Sequence, residues 1–181
     1  MPTPPEILST QITAKSRLFE IETRKLRFSN GTIVNYELLR GRAEGAVLVV
    51  PINEQNEVLL VCEYAGGVHR YEIACPKGLI DPGETHLEAA DRELKEEIGF
   101  GARQLTLLDT LTIAPGYLDH HTHIILAQDL YPCQLEGDEP EEIEVVHWPF
   151  DDLSELIQRQ DFTEARSIAA LFMAREYLAH E

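Results

Sequence analysis

The sequence predicts an α/β fold in which a mixed β-sheet lies between helices, and three observations lead to this prediction. Short runs rich in β-branched and aromatic residues alternate with turn residues along most of the chain, as strands do. One long amphipathic helix is predicted in the middle of the chain. A second long helix is predicted at its end, and strands interrupted by one helix and closed by another favour a sheet packed between helices.

Residues 1–10 are rich in proline and are predicted to be loose, and residues 11–40 form a block of predicted strands. Residues 27–28 and 32–36 flank the turn sequence Ser29-Asn30-Gly31, which is a hairpin signal. Residues 41–45 (GRAEG) form a short linker. We therefore expect an N-terminal β-segment over 1–43 and a second domain over 44–181. A block of this size buries little apolar surface alone, so it should pair with another surface.

The second domain contains the buried sheet. Residues 46–52 (AVLVVPI) are almost continuously apolar, which predicts a central strand. Other strands are predicted at 57–64, 71–73, 105–113, 122–128 and 143–148.

A short helix is predicted at 152–160. Asp161 and Glu164 have the spacing of a capping box, which predicts a final helix to about 178. Its buried face is predicted to contain Ala165, Ile168, Ala169 and Phe172.

The central helix lies in residues 78–100, GLIDPGETHLEAADRELKEEIGF. Thr85 and Glu88 form a capping box, so the helix should begin at Thr85. Gly99 or Gly101 should end it. The buried stripe at helical spacing consists of Leu87, Ala90, Leu94 and Ile98.

Three carboxylates of this helix are close together. Glu93 and Glu97 are four residues apart and therefore share one face, and Glu96 lies beside them. Like charges at this spacing repel unless a cation lies among them. Mg²⁺ takes oxygen ligands and keeps substrate phosphates as partners. With Arg92 and Glu84 to brace the carboxylates, the segment predicts a metal–diphosphate site.

The same residues carry a family resemblance. Gly78, Glu84, the run Arg92-Glu93-Leu94, Glu96-Glu97 and Gly99-Phe100 match the complete signature of the Nudix hydrolases, at the family's spacing. The resemblance implies a Nudix α/β/α sandwich. Residues 127–132 (AQDLYP) and 135–140 (LEGDEP) also resemble the ADP-ribose and ADP-sugar pyrophosphatase branch of the family, in particular its ADP compounds hydrolases.

The resemblance assigns the metal ligands. It implies that Glu93 and Glu97 bind Mg²⁺, or Mn²⁺ in its place, and that Glu96 binds directly or through water and takes part in catalysis. The backbone carbonyl of Lys77, just before the glycine of the motif, would be a further ligand. Bound metal would polarise the phosphoryl oxygens and activate a water molecule.

The hydrolysis also needs a base, and an acidic loop (133–144, CQLEGDEPEEIE) lies where the branch carries one. Alignment on the strand that follows assigns the base to Glu139 and an accessory metal ligand to Glu141. Glu142 remains an alternative for either role, because a loop is easily shifted by one residue.

Substrate contacts are implied at two further places. In the ADP-ribose branch an N-terminal sheet reaches across a homodimer and holds the adenine or the terminal sugar. Phe19 and Tyr36 lie near that position, with ordinary sheet packing as the alternative for both. Pro115 marks ADP-ribose pyrophosphatases, whereas Tyr117 is associated with diadenosine polyphosphate hydrolases.

The segment before the motif departs from the branch. Where other members carry arginine, this chain has Ala65, and residues 72–78 (EIACPKG) are two residues longer than the usual stretch. The departure places Lys77 beside the motif loop, where its ammonium group can meet a substrate phosphate. A solvated lysine is the alternative interpretation.

Composition excludes several classes of function. A net charge of −17 over 181 residues opposes binding to nucleic acid and to anionic membranes. The spacing of the three cysteines fits no zinc motif or disulfide framework. The start, MPTPPEILST, lacks the features of a signal peptide, and no apolar run approaches the length of a membrane span. We expect a cytoplasmic protein.

The sequence thus predicts an enzyme that hydrolyses the diphosphate bond of ADP-linked compounds (ADP-ribose, NADH, diadenosine di- and triphosphate) and releases AMP. One alternative is a Nudix hydrolase for a GDP-sugar or another nucleoside diphosphate derivative, or for a nucleoside triphosphate. A second is a catalytically silent nucleotide-binding module, and a third is an interaction protein with an acidic surface.

Overall fold

The computed structural model describes residues 2–41, 44–137 and 140–180. The chain divides into two compact units. Unit 1 comprises Met1–Ala43 and Thr112–His121, and unit 2 comprises Glu44–Leu111 and Thr122–Glu181. The described strands, numbered in chain order, are β1 (Glu6–Lys15), β2 (Glu20–Arg27), β3 (Ile33–Arg40), β4 (Ala46–Pro51), β5 (Glu57–Ala65), β6 (Arg70–Ala74), β7 (Lys77–Leu79), β8 (Phe100–Thr112), β9 (Leu118–Asp119), β10 (His121–Pro132) and β11 (Glu144–Pro149). The α-helices are α1 (His86–Glu97), α2 (Leu153–Leu156) and α3 (Ala165–Leu178).

Unit 1 is a four-stranded sheet with the order β1-β2-β3-β9. The predicted hairpin is confirmed: β2 and β3 are antiparallel, with Arg27 opposite Ile33. Gly31 has φ +83° in the connecting turn, a conformation that glycine adopts without steric cost. The sheet leaves many large apolar side chains exposed, namely Ile7, Ile12, Leu18, Phe19, Ile33, Val34 and Tyr36.

Unit 2 contains two sheets. One is mixed and has the order β7-β4-β10-β8, with β4 parallel to β10 and antiparallel to β7. The other is antiparallel and has the order β11-β5-β6. The predicted central strand is confirmed, since every residue of β4 is buried. An isolated antiparallel bridge pairs Ile52, which follows β4, with Val58 of β5.

The core of unit 2 has two layers, one on each face of β4. Val47 and Val49 pack in the cluster that includes Ala90 and Leu94 of α1. Their neighbours Leu48 and Val50 pack in the other cluster, with buried residues of α2 and α3. Successive side chains of a strand point to opposite faces, so β4 lies between two helical layers. This arrangement is the predicted α/β/α sandwich. No helix among the residues described is long and apolar enough to cross a membrane.

The final helix begins later than predicted. Asp161 does not cap it, because its carboxylate binds Arg159 at 2.8 and 2.6 Å and its carbonyl accepts the Ile73 N–H at 2.6 Å. The chain reaches the helix only at Ala165, where Glu164 accepts the Ser167 N–H at 2.7 Å. The buried residues of this helix are Ser167, Ala170, Leu171 and Ala174, so the predicted buried face was largely wrong. Of the predicted residues, Ile168 is partly buried and packs against the core.

The start of α1 is as predicted. Thr85 accepts the Glu88 N–H at 3.2 Å, and the Glu88 carboxylate accepts the Thr85 N–H at 2.8 Å, which completes the capping box. We expect Thr85→Ala to destabilise the protein by about 1 kcal/mol, since it leaves a helix N–H without its acceptor. The urea midpoint measures this change. Thr85→Ser keeps the hydroxyl and should match the parent; equal loss in both variants would contradict the assignment.

Candidate active site

Helix α1 buries two of its charged residues. Residues Glu93 and Glu97 are only 7% and 5% exposed, although isolated charges are costly to bury. Their position follows from the helical spacing, because the fully buried Leu94 and Ala90 draw that face of α1 onto β4. The two carboxylates therefore lie at the border between the helix and the sheet.

Arg92 holds the exposed side of this acidic group. Its Nε and Nη2 donate to the two carboxylate oxygens of Glu84, both at 2.9 Å. Its Nη1 donates to Glu93 at 2.7 Å and to Glu96 at 3.0 Å, and Nη2 also donates to the Leu79 carbonyl at 2.9 Å. The guanidinium lowers the pKa of Glu84 below its usual value. The predicted bracing by Arg92 and Glu84 is present.

Glu97 has a different environment. Its carboxylate accepts the backbone N–H of Lys77 at 3.0 Å. The Lys77 ammonium does not meet Glu97 but donates to Glu63 at 2.5 Å. Burial raises the pKa of Glu97 to about 9, and the charges of Glu63 and Glu93 add to this effect. Without an additional cation, Glu97 is therefore protonated at neutral pH.

Gly78 allows β7 to lie against the carboxylate of Glu93. A Cβ atom built at Gly78 would overlap that carboxylate. The Glu93 carboxylate is the end of a flexible side chain and can move, so the Gly78→Ala variant should still fold. Its added methyl group should push the Glu93 carboxylate away from Arg92. We expect a loss of less than about 1.5 kcal/mol in stability and a weaker affinity for divalent cations by about tenfold or more. Calorimetric titration with Mg²⁺ measures the affinity.

Gly67→Ala is the matched control for this prediction. Gly67 lies in the loop between β5 and β6, its φ is not positive, and a Cβ there meets nothing within 4 Å. This variant should bind Mg²⁺ as the parent does. Unchanged affinity in Gly78→Ala would mean that the position of Glu93 does not matter to the metal.

The acidic loop lines a cavity beside α1. The cavity has a volume of about 690 Å³, and Glu96 and Glu97 share its wall with Glu141 and Glu142. Four carboxylates from the helix and the loop thus face one space. The structure brings together the loop and the helix glutamates that the sequence singled out, whereas Glu139, the predicted base, lies outside the described residues.

The first part of this loop is bound to the end of α1. The Cys133 N–H donates to the Gly99 carbonyl at 2.9 Å, and the Leu135 N–H donates to the Lys95 carbonyl at 3.0 Å. The Lys95 carbonyl lies in the last turn of α1, where carbonyl groups lack partners within the helix. Gly99 has φ +75°, which lets the chain leave the helix at the predicted end.

The donor set fits a hard divalent cation. Carboxylate oxygens are the ligands that Mg²⁺ and Mn²⁺ prefer. The buried and protonated Glu97 is a carboxyl group that a cation would stabilise as an anion. Within the described parts of the chain, no three His, Cys, Asp or Glu side chains already form a metal-binding group. Arg92 and Lys77 instead bind the carboxylates that a metal would use.

The predicted substrate residues of unit 1 fall into two places. Tyr36 and Pro115 line one cavity of about 530 Å³, together with Arg24 and Tyr117. Phe19 lines another cavity, near Ile21 and Leu39. Tyr36, Tyr117 and Phe19 are all exposed, so their rings are accessible in this unit.

Sequence reasoning missed two residues of the site. Glu63 binds the Lys77 ammonium, and Tyr71 donates its hydroxyl to Glu141 at 2.7 Å. A signal for Glu63 was available: strand alternation places it on the same face of β5 as Leu59 and Val61, which pack toward α1. Tyr71 gave no such signal, because its partner is distant in the sequence.

Comparison with known proteins agrees with this geometry. A model of the NUDIX domain matches residues 42–171, and a model of the N-terminal domain of NudE-type Nudix hydrolases matches residues 5–37. The chain belongs to the Nudix hydrolase family, and it is an enzyme that hydrolyses pyrophosphate bonds.

Relatives place it further within the family. It is 49% identical to "ADP compounds hydrolase NudE" of Escherichia coli (strain K12) over 96% of this chain and 93% of that protein. It is 26% identical to "ADP-ribose pyrophosphatase" of Bacillus subtilis (strain 168) over 91% of each. A solved structure described as "Crystal structure of ADP compounds hydrolase" has a TM-score of 0.93 at 48% identity and covers 99% of this chain and 97% of that one.

Proposed function

We propose that this enzyme hydrolyses the diphosphate bond of ADP-linked compounds such as ADP-ribose, NADH and diadenosine di- and triphosphate, with release of AMP. The observation that carries the proposal is the complete Nudix motif on α1, with Glu93 and Glu97 buried against the sheet and held by Arg92 and Lys77. The similarity to an ADP compounds hydrolase over almost the whole chain supports the substrate class.

Mg²⁺ is the proposed cation, with Mn²⁺ as a substitute. Glu93 and Glu97 would hold it, Glu96 would bind directly or through water, and the Lys77 carbonyl would complete the protein ligands. When bound, the cation supplies charge that polarises the phosphoryl oxygens and lowers the pKa of a water molecule.

The acidic loop supplies the remaining catalytic groups in this proposal. Glu139 would orient the attacking water and accept its proton, and Glu141 would assist at the metal. Glu142 remains the alternative for either role. The support is the position of Glu141 and Glu142 on the same cavity wall as Glu96 and Glu97. Because the leaving group is a phosphate, no covalent nucleophile is needed.

Unit 1 is proposed to help hold the adenine or the terminal sugar of the substrate. Tyr36 and Pro115 share a cavity with Arg24, which combines an aromatic ring for a base with a cation for an anionic group. Phe19 would hold one of the same two groups, and the Lys77 ammonium would hold a substrate phosphate. The exposed apolar side chains of the unit 1 sheet support a homodimer.

We also propose a cytoplasmic location. All three cysteines are free in the structure, as expected of thiols kept reduced.

The test is product release from ADP-ribose, NADH, diadenosine diphosphate, GDP-mannose and dGTP in the presence of Mg²⁺. We expect AMP from the three adenosine compounds and less than a hundredth of that turnover from the other two. The same assay with Glu97→Gln should yield no AMP above background.

Two outcomes would contradict the proposal. Turnover of only GDP-mannose or dGTP would agree with the proposed metal site on α1 but would contradict the proposed substrate class. No turnover of any compound, with tight binding of ADP-ribose by calorimetry, would favour a silent nucleotide-binding module.

A further inference from the structure

One contact of the acidic loop comes from the antiparallel sheet of unit 2. The Tyr71 hydroxyl, on β6, donates to Oε1 of Glu141 at 2.7 Å. Tyr71 is opposite Tyr64 of β5, and the two rings meet edge to face at 6.0 Å. Each tyrosine is about half exposed, so neither hydroxyl belongs to the core. The contact is therefore not required to fill space in the fold.

The partner of this hydroxyl matters because of its surroundings. Glu141 shares its cavity with Glu96, Glu97 and Glu142, and the ionised carboxylates among them repel one another. An arginine in place of Tyr71 would hold Glu141 but neutralise it. A phenol holds the carboxylate while leaving its negative charge and its second oxygen for a cation or a water molecule.

Tyr71 is the donor in this contact, because a carboxylate oxygen can only accept a hydrogen bond from a phenol. The contact also links two ends of the loop to different elements. Cys133 and Leu135 bind carbonyls at the end of α1, whereas Glu141 is bound from β6.

We propose that Tyr71 is a positioning residue, which holds Glu141, and with it residues 140–144 of the acidic loop, facing the carboxyl groups of α1. This inference rests on the proposed function for its effect on catalysis. It assigns to β6 a role in the reaction that the Nudix motif does not contain.

Tyr71→Phe tests the proposal, because it removes one oxygen and keeps the ring. We expect kcat for the adenosine compounds to fall about tenfold, in line with the loss of one hydrogen bond to a charged group. KM should change less than twofold. Tyr64→Phe is the matched control, because it removes the neighbouring hydroxyl, which pairs with His69 at 2.6 Å and not with the loop. Its kcat should stay within twofold of the parent.

A second measurement needs neither substrate nor metal. Hydrogen–deuterium exchange in EDTA should become at least threefold faster in peptides covering residues 140–144 of Tyr71→Phe, and remain unchanged there in Tyr64→Phe. Equal exchange in the two variants would overturn the proposal. If the parent cleaves no ADP compound, the proposed function fails, but this exchange comparison still decides whether Tyr71 holds the loop.

A double-mutant cycle tests whether Tyr71 acts through Glu141. In a Glu141→Ala background, Tyr71→Phe should lower kcat by less than a further twofold, because the partner is already absent. A full tenfold loss in that background would place the effect of Tyr71 elsewhere and overturn the proposal.

Discussion

Replacing Glu97 by glutamine is expected to have two opposite effects. Hydrolysis should fall by at least about 10³-fold, because a neutral amide is a poor ligand for a hard cation and the transition state loses its charge stabilisation. The metal-free protein should become more stable at neutral pH. A residue that only supported the fold would not combine these effects.

The stability gain follows from the pKa of Glu97, which burial raises from 4.5 to about 9. The folded state holds this proton more tightly than the unfolded chain, so the contribution of Glu97 favours folding below pH 4.5. That contribution is lost as the pH rises toward about 9. Glutamine removes this dependence, and in EDTA at pH 7 the variant should gain up to about 3 kcal/mol.

Urea unfolding in EDTA between pH 5 and 9 measures this difference. The gap between Glu97→Gln and the parent should widen as the pH rises and close when saturating Mg²⁺ stabilises the parent. Glu54→Gln is the control, because Glu54 lies in the exposed turn between β4 and β5. A Glu97→Gln variant that is less stable than the parent at every pH would contradict the assignment of a buried, costly carboxyl group.

Replacing Arg92 by methionine is expected to cause the largest loss of stability among these variants. The Arg92 side chain is only 24% exposed, and its guanidinium bonds to three carboxylates. The side chains of Glu84 and Glu93 are only 16% and 10% exposed. Removing the cation leaves partly buried anions without a partner. We expect a loss of about 3 kcal/mol at pH 7, together with a loss of activity of 10²-fold or more.

The loss should depend on pH in a defined direction. Arg92 lowers the pKa of Glu84, so the stability that Glu84 contributes is present above pH 4.5 and disappears as the pH falls through its folded-state pKa. The difference between Arg92→Met and the parent should therefore shrink in acid. Arg92→Lys keeps the charge but not the planar fork, so it should recover only part of the stability.

Arg103→Met provides the comparison for Arg92→Met. Arg103 is 62% exposed and binds Asp129 at 2.9 Å, a surface pair that contributes little. Denaturant midpoints for both variants, measured at pH 7 and pH 4, separate the two cases. Equal stability of the two methionine variants at pH 7 would show that Arg92 does not compensate the buried carboxylates.

Much of helix α1 was predictable from local sequence patterns. The capping box at Thr85, the buried Ala90 and Leu94, and the end at Gly99 all appear as predicted. Each depends on residues within about one turn of one another, and such interactions are present in any chain that forms the helix. The central strand β4 was equally clear, since only a strand buried on both faces is apolar throughout.

The final helix shows where local pattern fails. Its spacing fitted a cap at Asp161, but Arg159 and the backbone of β6 bind Asp161, and Glu164 caps the helix instead. The competing contact to Ile73 joins residues almost ninety positions apart. A capping motif predicts the start of a helix only when its residues do not form stronger hydrogen bonds or ion pairs with other partners.

The sequence by itself determined the family, the fold class and the carboxylates that share one face of α1, because a motif, a helical period and a cap are properties of neighbouring residues. Only the tertiary structure decided that the Lys77 ammonium binds Glu63 and not those carboxylates. It also decided that the Glu93 carboxylate lies where a Cβ atom at Gly78 would be, and that Tyr71 meets Glu141, seventy residues away. Such contacts depend on how strands and loops from distant parts of the chain pack together, and no local pattern records that packing.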